Sequence, residues 1–230
     1  MLALIGVLGA SAQQSTPEAS QALPRTIYGS EAALANNLLL TIDDCSDEQL
    51  TRQMVELLIA NNVTATFFPN TIYINEQNPQ LWRYMVGAGF EIGYHTRTHQ
   101  EGMSVEELTA DFARFQDEVR QLLGDNTYTI RLVRPPYGIW DNNWNAWTEA
   151  NDLVTVRWNV VPRARLEMSY VEAVLNDMEN GGRIILLHPR RFDLRWLEQR
   201  LPALLALTDA AGQPLRLTSV TEAFNDDDVG

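Results

Sequence analysis

Short apolar runs alternate along this chain with longer segments of helical period, and this alternation constrains the fold most. The apolar runs predict strands at residues 37–42, 65–68, 90–94, 130–133, 154–158, 184–187 and, more weakly, 215–218. Amphipathic stretches lie between them at 47–61, 79–88 and 104–123. Strands separated by helices pair in parallel, because a parallel connection needs a long crossover. The pattern therefore predicts an α/β fold, either an open doubly wound sheet or a closed, somewhat irregular β/α barrel.

The two ends of the chain differ in composition from this body. Residues 1–10 are apolar and run into the small-residue sequence ASAQ, which is typical of the end of a secretory signal, although no positive charge precedes it. A plain disordered tail is the alternative. We expect 1–33 to comprise a remnant of an export signal and a flexible linker, 34–224 a single folded domain and 225–230 an acidic tail. The protein is then expected to be exported to the cell envelope or beyond.

Charge and residue usage exclude several classes of function. With 17 basic and 30 acidic side chains the formal charge is −13, which repels phosphate backbones. We therefore expect no nucleic-acid partner, and the apolar N-terminal stretch is too short for a transmembrane segment. Every basic residue is arginine, which removes Schiff-base chemistry and the lysine of a P-loop. The single cysteine, Cys45, excludes an internal disulfide framework and a multi-cysteine metal site.

Ionisable side chains follow several of the predicted strands. The first strand is followed by Asp43 and Asp44, the third by His95, the fourth by Arg134 and the sixth by His188. In parallel α/β folds the carboxyl ends of the strands form the active-site face. A single histidine more often packs or makes an ordinary hydrogen bond, but all three histidines of this chain lie in such segments. The sequence therefore predicts a site at this edge.

His95 and His99 have the spacing of a metal-ligand pair. They are four residues apart in HTRTH, so a helical turn there would project both imidazoles from one side. Two histidines and one carboxylate leave zinc an open fourth position, which suits a catalytic site. Asp43 or Asp44 can supply the carboxylate. Because adjacent strand residues point to opposite sides, the other aspartate can address a water molecule from another direction.

Five motifs then occur in the order known for one enzyme family: TIDDC at 41–45, ATFF at 65–68, GFEIGYHTRTH at 89–99, RPPYG at 134–138 and IILLH at 184–188. Through these motifs the chain resembles the polysaccharide deacetylases of carbohydrate esterase family 4, also called the NodB-homology domain. The resemblance implies a distorted β/α barrel of about seven parallel strands in a single domain. It also implies hydrolysis of N-acetyl, or O-acetyl, groups on an acetylated polysaccharide or oligosaccharide.

The resemblance also implies a role for each ionisable residue. The ligands of one divalent metal, for which zinc is favoured, would be Asp44, His95 and His99. Asp43 would be the general base that activates water, and Arg134 would pair with it and fix its direction. A buried arginine that braces the loop is the alternative. His188 would be the general acid, because an amide nitrogen is a poor leaving group unless it is protonated.

Three further residues are expected to contact the substrate. By the resemblance, the Tyr137 backbone N–H would hold the oxyanion. Leu186 would form part of the acetyl pocket, although it would serve equally as an ordinary strand leucine. Trp140 is the first of three tryptophans spaced for one helical face, and as the one nearest the RPPYG loop it is the candidate for stacking on a sugar ring.

Two departures from the family pattern concern the site. A further segment that the family carries near its fifth strand, approximately DxxDW and called here the fourth motif, is missing from 154–165, which reads VTVRWNVVPRAR. His188 is therefore expected to lack the aspartate that orients it. Cys45 replaces a glycine and is expected to be a small buried side chain, the alternative being an extra metal ligand. Two other functions therefore stay open: a catalytically impaired protein that binds metal and glycan, and a hydrolase of a small non-sugar amide.

Overall fold

The fold is α/β, as the alternation predicted, and the computed structural model describes residues 25–162, 183–209 and 211–225. Its strands are β1 (Thr26–Ile27), β2 (Asn37–Asp44), β3 (Thr66–Pro69), β4 (Glu91–Ile92), β5 (Leu132–Val133), β6 (Val154–Val156), β7 (Ile184–Leu187) and β8 (Arg216–Thr218). Its helices are α1 (Glu48–Ala60), α2 (Thr71–Ile74), α3 (Pro79–Gly87), α4 (Val105–Leu123), α5 (Asn142–Ala150), α6 (Arg191–Leu205) and α7 (Val220–Phe224).

The strands form two parallel sheets rather than one continuous barrel. The larger has the order β4-β3-β2-β7, with β8 also paired with β2, and the smaller has the order β1-β6-β5. Two isolated parallel bridges, Tyr94 with Val133 and Val160 with Ile185, connect them. The predicted barrel of seven strands is therefore not found in that form, because these contacts between the sheets are single bridges and the described residues contain an eighth strand.

That eighth strand is β1, which the sequence analysis missed. It pairs with Thr155 and Val156 of β6, and a 3₁₀ turn follows it at Ala32–Leu34. Strand β1 and the start of this turn lie in the stretch that was predicted as linker, before the predicted start of the folded body at residue 34. The strand was missed because two residues are too few to show a period. Residues 1–24 of the predicted signal remnant and linker, and residues 226–230 of the predicted acidic tail, lie outside the described residues. Within the described ranges, no helix combines the length and the apolar character needed to cross a membrane.

Alternation along β2 separates two apolar clusters. Leu38 and Leu40 belong to an outer cluster that packs beneath the helices, whereas Leu39 belongs to an inner cluster with residues of both sheets, including Ile184 and Val156. Side chains two residues apart lie on the same face of a strand. Thr41 and Asp43 follow Leu39 on this inner face of β2. These two polar residues therefore lie at the carboxyl end of the inner cluster.

Helix α4 begins and ends with strong local signals. The Ser104 hydroxyl accepts a hydrogen bond from the Glu107 backbone at 3.2 Å, and the Glu107 carboxylate accepts one from the Ser104 backbone at 2.8 Å. This is the capping box that the spacing predicted. The helix ends at Gly124, whose φ of 68° closes the last turn. The helix is thereby fixed beside the loop that follows β4.

Gly93 follows β4 where the packing leaves no room for a side chain. A Cβ at this position would lie 2.6 Å from Cδ1 of Phe68 and 2.9 Å from the carbonyl oxygen of Leu132. We expect Gly93→Ala to lower the free energy of unfolding by about 1–3 kcal/mol, as measured by urea denaturation. Gly87 is the control, because a Cβ there meets nothing within 4 Å and alanine favours the helix. Equal stability of the two variants would contradict the close packing at Gly93.

Candidate metal centre

The ionisable residues singled out in the sequence converge at the carboxyl ends of the strands. Strand β2 ends at Asp44, between β3 and β7, which run parallel to it. Arg134 directly follows β5, His188 directly follows β7, and His95 follows the bridge residue Tyr94. Parallel pairing brings these ends to one edge of the fold, which is where ligands bind in such sheets.

Asp44, His95 and His99 form the candidate metal centre. The Asp44 Oδ1 atom lies 3.7 Å from His95 Nε2 and 3.5 Å from His99 Nε2, and the ligand atoms of the three residues lie within 4.8 Å of one another. This Oδ1 is buried without a hydrogen-bond partner, which is unfavourable for a carboxylate oxygen unless a cation binds it. Two imidazole nitrogens and a carboxylate oxygen at this spacing fit a divalent cation.

The two histidines meet without the helical turn that their spacing predicted. Residues 95–99 form an irregular loop in which Thr96 and His99 have φ angles of 56° and 59°. The Asn70 side-chain amide donates to the carbonyls of His95 and Thr96 at 2.8 and 3.0 Å, so a side chain satisfies these carbonyls instead of helical bonds. The ring centroids are 4.9 Å apart. The structure therefore brings the two rings together, but through an irregular loop rather than the helical turn that the spacing suggested.

Two carboxylates of α4, which the sequence analysis missed, hold the same loop. Asp111 accepts hydrogen bonds from the Arg97 backbone at 2.9 Å and from the Tyr94 hydroxyl at 2.8 Å. Glu118 accepts two from the Arg97 guanidinium, at 2.6 and 2.9 Å. Asp111 and Glu118 are seven residues apart and so lie on one face of the helix. This spacing of two acidic residues is visible in the sequence and could have predicted their shared role.

The orientation of His95 suits a metal ligand. Its Nδ1 lies 2.7 Å from the carbonyl oxygen of Arg134, which can only accept, so Nδ1 carries the proton and Nε2 presents its lone pair toward Asp44. Burial lowers the pKa of His95, outweighing the charge of Asp43, which raises it. Burial thus favours the neutral ring that metal binding requires.

Arg134 and Asp43 form a fully buried ion pair. The Arg134 guanidinium donates to Asp43 Oδ1 at 2.7 Å and to the Thr41 hydroxyl at 2.9 Å. It also donates to the carbonyl oxygens of Val156 and Arg157, at 3.0 and 3.1 Å. Burial lowers the pKa of Arg134, while the charge and hydrogen bond of Asp43 oppose this effect. The arginine therefore both directs Asp43 and braces the loop, so the two roles considered for it coexist.

Strand alternation predicted that Asp43 and Asp44 point to opposite sides, but they do not. Asp44 has a φ of 67°, which ends the extended conformation at this residue. Asp43 Oδ2 lies 3.6 Å from His95 Nε2, the same nitrogen that faces Asp44 Oδ1. Both carboxylates therefore address the metal centre, and Asp43 does so with the oxygen that does not bind Arg134.

His188 faces Oδ2 of Asp44, whereas His95 and His99 face Oδ1, and it has a second carboxylate beside it. Its Nε2 lies 4.0 Å from Asp44 Oδ2, and its Nδ1 lies 3.6 Å from Oδ2 of Asp193. The expectation that His188 lacks such a neighbour is therefore wrong, because α6 supplies one after the strand. The missing fourth motif gave no hint of it. Arg190, largely exposed, reaches Asp44 Oδ2 at 3.4 Å from the same segment.

Tyr137 and Trp140 lie on the loop that follows Arg134. The Tyr137 ring is exposed and packs edge-on against His99, with centroids 4.4 Å apart, and its φ of 56° turns the loop at this point. Trp140 is half-buried, and the Arg157 guanidinium lies 4.2 Å from its ring centroid. The structure therefore brings Tyr137 against a predicted metal ligand and places Trp140 farther along the loop.

Leu186 and Cys45 are buried near the centre. Leu186 pairs in register with Thr41 and shares the face of β7 with Ile184 of the inner cluster. Cys45 belongs to the outer cluster, and burial raises the pKa of its thiol. A buried thiol with a raised pKa is a poor source of the thiolate that a metal would bind.

Comparisons with known proteins agree with this geometry. A family model described as polysaccharide deacetylase matches residues 31–156. The chitooligosaccharide deacetylase of Sinorhizobium fredii is 34% identical over 165 residues, which cover 67% of this chain and 72% of that protein. The structure of a family 4 carbohydrate esterase from Bacillus anthracis matches at a TM-score of 0.68 and 21% identity, with 86% of each chain covered.

A second solved structure shows that this fold does not by itself imply activity. A family 4 pseudoenzyme from Bacillus anthracis matches at a TM-score of 0.66 and 20% identity, covering 83% of this chain and 66% of that chain. At such identities both structures support the fold alone. The family model, however, spans more than half of the chain and includes the segments that carry Asp43, His95 and Arg134. The chain therefore belongs to the polysaccharide deacetylases of carbohydrate esterase family 4.

Proposed function

We propose that this protein is a metal-dependent hydrolase that removes N-acetyl groups from a carbohydrate polymer of the cell envelope or exterior. The observation that carries the proposal is the buried, unpartnered Asp44 Oδ1 facing two imidazole nitrogens, with Asp43 and His188 on either side. The similarity to a chitooligosaccharide deacetylase supports an acetylated sugar as substrate.

The ligand set would be Asp44, His95 and His99, and zinc is the favoured cation because it commonly binds two imidazoles and a carboxylate with one position left open. Bound there, it would supply Lewis acidity, lowering the pKa of water and polarising the acetyl carbonyl. His95 is prepared for this role by its Nδ1 contact with the Arg134 carbonyl, which keeps Nε2 directed inward.

Asp43 would take the proton of the attacking water. Arg134 occupies Oδ1 at 2.7 Å and leaves Oδ2 directed toward the metal centre, 3.6 Å from His95 Nε2. A general base must lie within reach of the proton that it removes, and this oxygen is the one placed to do so. The guanidinium compensates the buried carboxylate charge and prevents its rotation.

On the other side, His188 would protonate the departing amide nitrogen through Nε2, the ring atom that faces Asp44. The Tyr137 backbone N–H would stabilise the oxyanion of the tetrahedral intermediate, and the left-handed turn at Tyr137 orients this peptide. Leu186 would contact the acetyl methyl group from the inner face of β7. Trp140 would extend contact to a neighbouring sugar ring.

Two other functions compete with this proposal. A catalytically impaired protein that binds metal and glycan is suggested by the missing fourth motif and by the existence of a pseudoenzyme with this fold. Hydrolysis of a small non-sugar amide would use the same metal centre without Trp140. Acetate release from polymers compared with small amides separates these possibilities.

Replacing a ligand should abolish stable metal binding. We expect His99→Ala to weaken zinc binding by more than about 100-fold, because losing even a residue that only hydrogen-bonds to a metal ligand costs about 10- to 100-fold. The measurement is zinc per protein chain after dialysis, with calorimetric titration of the metal-free protein. His188→Ala is the matched control and should keep its zinc, since the proposal gives His188 no bond to the metal. Equal zinc affinity in both variants would refute the ligand assignment.

Replacing the base should abolish turnover while leaving the metal in place. We expect the zinc-loaded protein to release acetate from N-acetylglucosamine oligomers, peptidoglycan or acetyl-xylan. Asp43→Asn should lower kcat by about 10²- to 10⁴-fold, the usual contribution of a general base. Its zinc content and melting temperature serve as controls. If the wild-type protein held stoichiometric zinc and released no acetate from any polymer, the impaired binder or a small amide substrate would replace our proposal.

Cys45 should be dispensable for metal binding. The thiol lies in the outer cluster, and its φ of 56° is one that glycine adopts without strain. Cys45→Gly is therefore expected to keep its full zinc content, as measured by elemental analysis. Loss of zinc in this variant would show that the thiol is a ligand.

A further inference from the structure

Helix α6 places the buried carboxylate of Asp193 beside His188, the histidine for which the missing fourth motif predicted no such neighbour. We propose that Asp193 is the positioning residue of His188, which it holds with Nε2 directed at the scissile amide. The inference rests on the proposed function, in which His188 is the general acid. Residues 154–165 contain no acidic residue that could orient His188, so the proposal gives this role to a residue in the first turn of α6.

The Asp193 carboxylate is fixed to the segment that it serves. Its Oδ2 accepts a hydrogen bond from the His188 backbone N–H at 2.7 Å, and the residue is only 7% exposed. The Arg190 backbone N–H in turn donates to the His188 carbonyl at 2.7 Å. Strand end, turn and helix start are therefore one hydrogen-bonded unit, and the carboxylate keeps its place relative to the imidazole.

The helix itself favours a negative charge at this position. Asp193 is the third residue of α6, and no side chain caps the helix at Arg190. A carboxylate in a first helical turn is stabilised by the unpaired N–H groups and the helix dipole. Asp193 therefore lies where the helix dipole favours a negative charge, next to the His188 ring.

The two nitrogens of His188 face different partners. Nδ1 lies 3.6 Å from Asp193 Oδ2, and Nε2 lies 4.0 Å from Asp44 Oδ2, on the side of the metal centre. A carboxylate can only accept a hydrogen bond, so its nearness favours the proton on Nδ1. The 3.6 Å separation is longer than a hydrogen bond, as contacts between catalytic groups often are in an enzyme without substrate. As the general acid, His188 would act in its imidazolium form, with Nδ1–H held toward Asp193 and the proton on Nε2 passing to the departing nitrogen.

Kinetics on the zinc-loaded protein test this role. Asp193→Ala should lower kcat by about 10- to 100-fold, the usual effect of losing a carboxylate that orients an imidazole, with little change in KM. Asp193→Asn should resemble it, whereas Asp193→Glu should restore part of the loss. Glu198→Gln, which removes a carboxylate from the exposed side of the same helix, is the matched control and should behave as wild type.

A double-mutant comparison separates positioning from mere stability. If Asp193 acts through His188, then Asp193→Ala should cause no further loss of kcat in a His188→Ala background. A purely structural role predicts the same fractional loss in both backgrounds and a lower melting temperature. Asp193→Asn retains an oxygen that can accept from the His188 backbone, so it keeps the test valid if Asp193→Ala unfolds.

A second measurement needs neither metal nor activity. The chain has three histidines, so nitrogen NMR of the metal-free full chain, with His188→Ala for assignment, reports the tautomer of the His188 ring. At alkaline pH we expect the wild-type ring to carry its proton on Nδ1, and Asp193→Ala, which removes the accepting oxygen beside Nδ1, to shift it toward Nε2. An unchanged tautomer in this variant would overturn the inference.

The outcomes distinguish this inference from the function on which it rests. Acetate release that falls in His188→Ala but not in the Asp193 variants would leave the deacetylase intact and exclude Asp193 as its positioning residue. No release by the wild-type protein would remove the proposed function, and the NMR measurement would still decide whether Asp193 sets the orientation of the ring.

Discussion

The ion pair between Arg134 and Asp43 is the interaction on which the rest of the site depends. Arg134 follows a strand of the smaller sheet, binds two residues of β2 in the larger sheet, and also donates to backbone carbonyls at the end of β6. One side chain thus connects both sheets inside the fold. Removing one partner of such a buried pair typically costs about 3–5 kcal/mol, because the other charge is left uncompensated. The Asp43 carboxylate is therefore held in place by Arg134, which connects the two sheets.

Around this pair the backbone adopts conformations that regular structure does not contain. Of the seven described non-glycine residues with positive φ, five lie at the site: Asp44, Cys45, Thr96, His99 and Tyr137. Each such conformation costs about 1–3 kcal/mol and persists only where surrounding contacts impose it. Asn70 and the carboxylates of α4 impose it on the histidine loop. Parallel pairing brings the strand ends to one edge, and the left-handed residues there turn the ligands toward one point.

The same strain explains how far the sequence could predict the structure. Hydrophobic period records which faces are buried, so it located β2 to β8 and the polar residues that follow them. It failed at Asp44 and at residues 95–99, where left-handed residues break both the strand and the helix pattern. It also failed at β1, which is too short to show a period, and at Asp193, which meets His188 through a strand-to-helix turn rather than through a motif.

The position of Asp193 changes what the missing motif means. Two proteins of this fold, one a carbohydrate esterase and one a pseudoenzyme, match this chain at TM-scores of 0.68 and 0.66, so backbone similarity does not separate an active site from an inactive one. The separation must come from a few ionisable groups and their supports. The far nitrogen of such a histidine is usually held by a carboxylate or a backbone carbonyl, and nothing requires a carboxylate in that place to come from a particular strand. Only three residues separate β7 from α6, so the first turn of this helix lies beside the end of the strand. In this chain the carboxylate beside His188 can therefore come from the first turn of α6 while the histidine keeps its place at the end of β7.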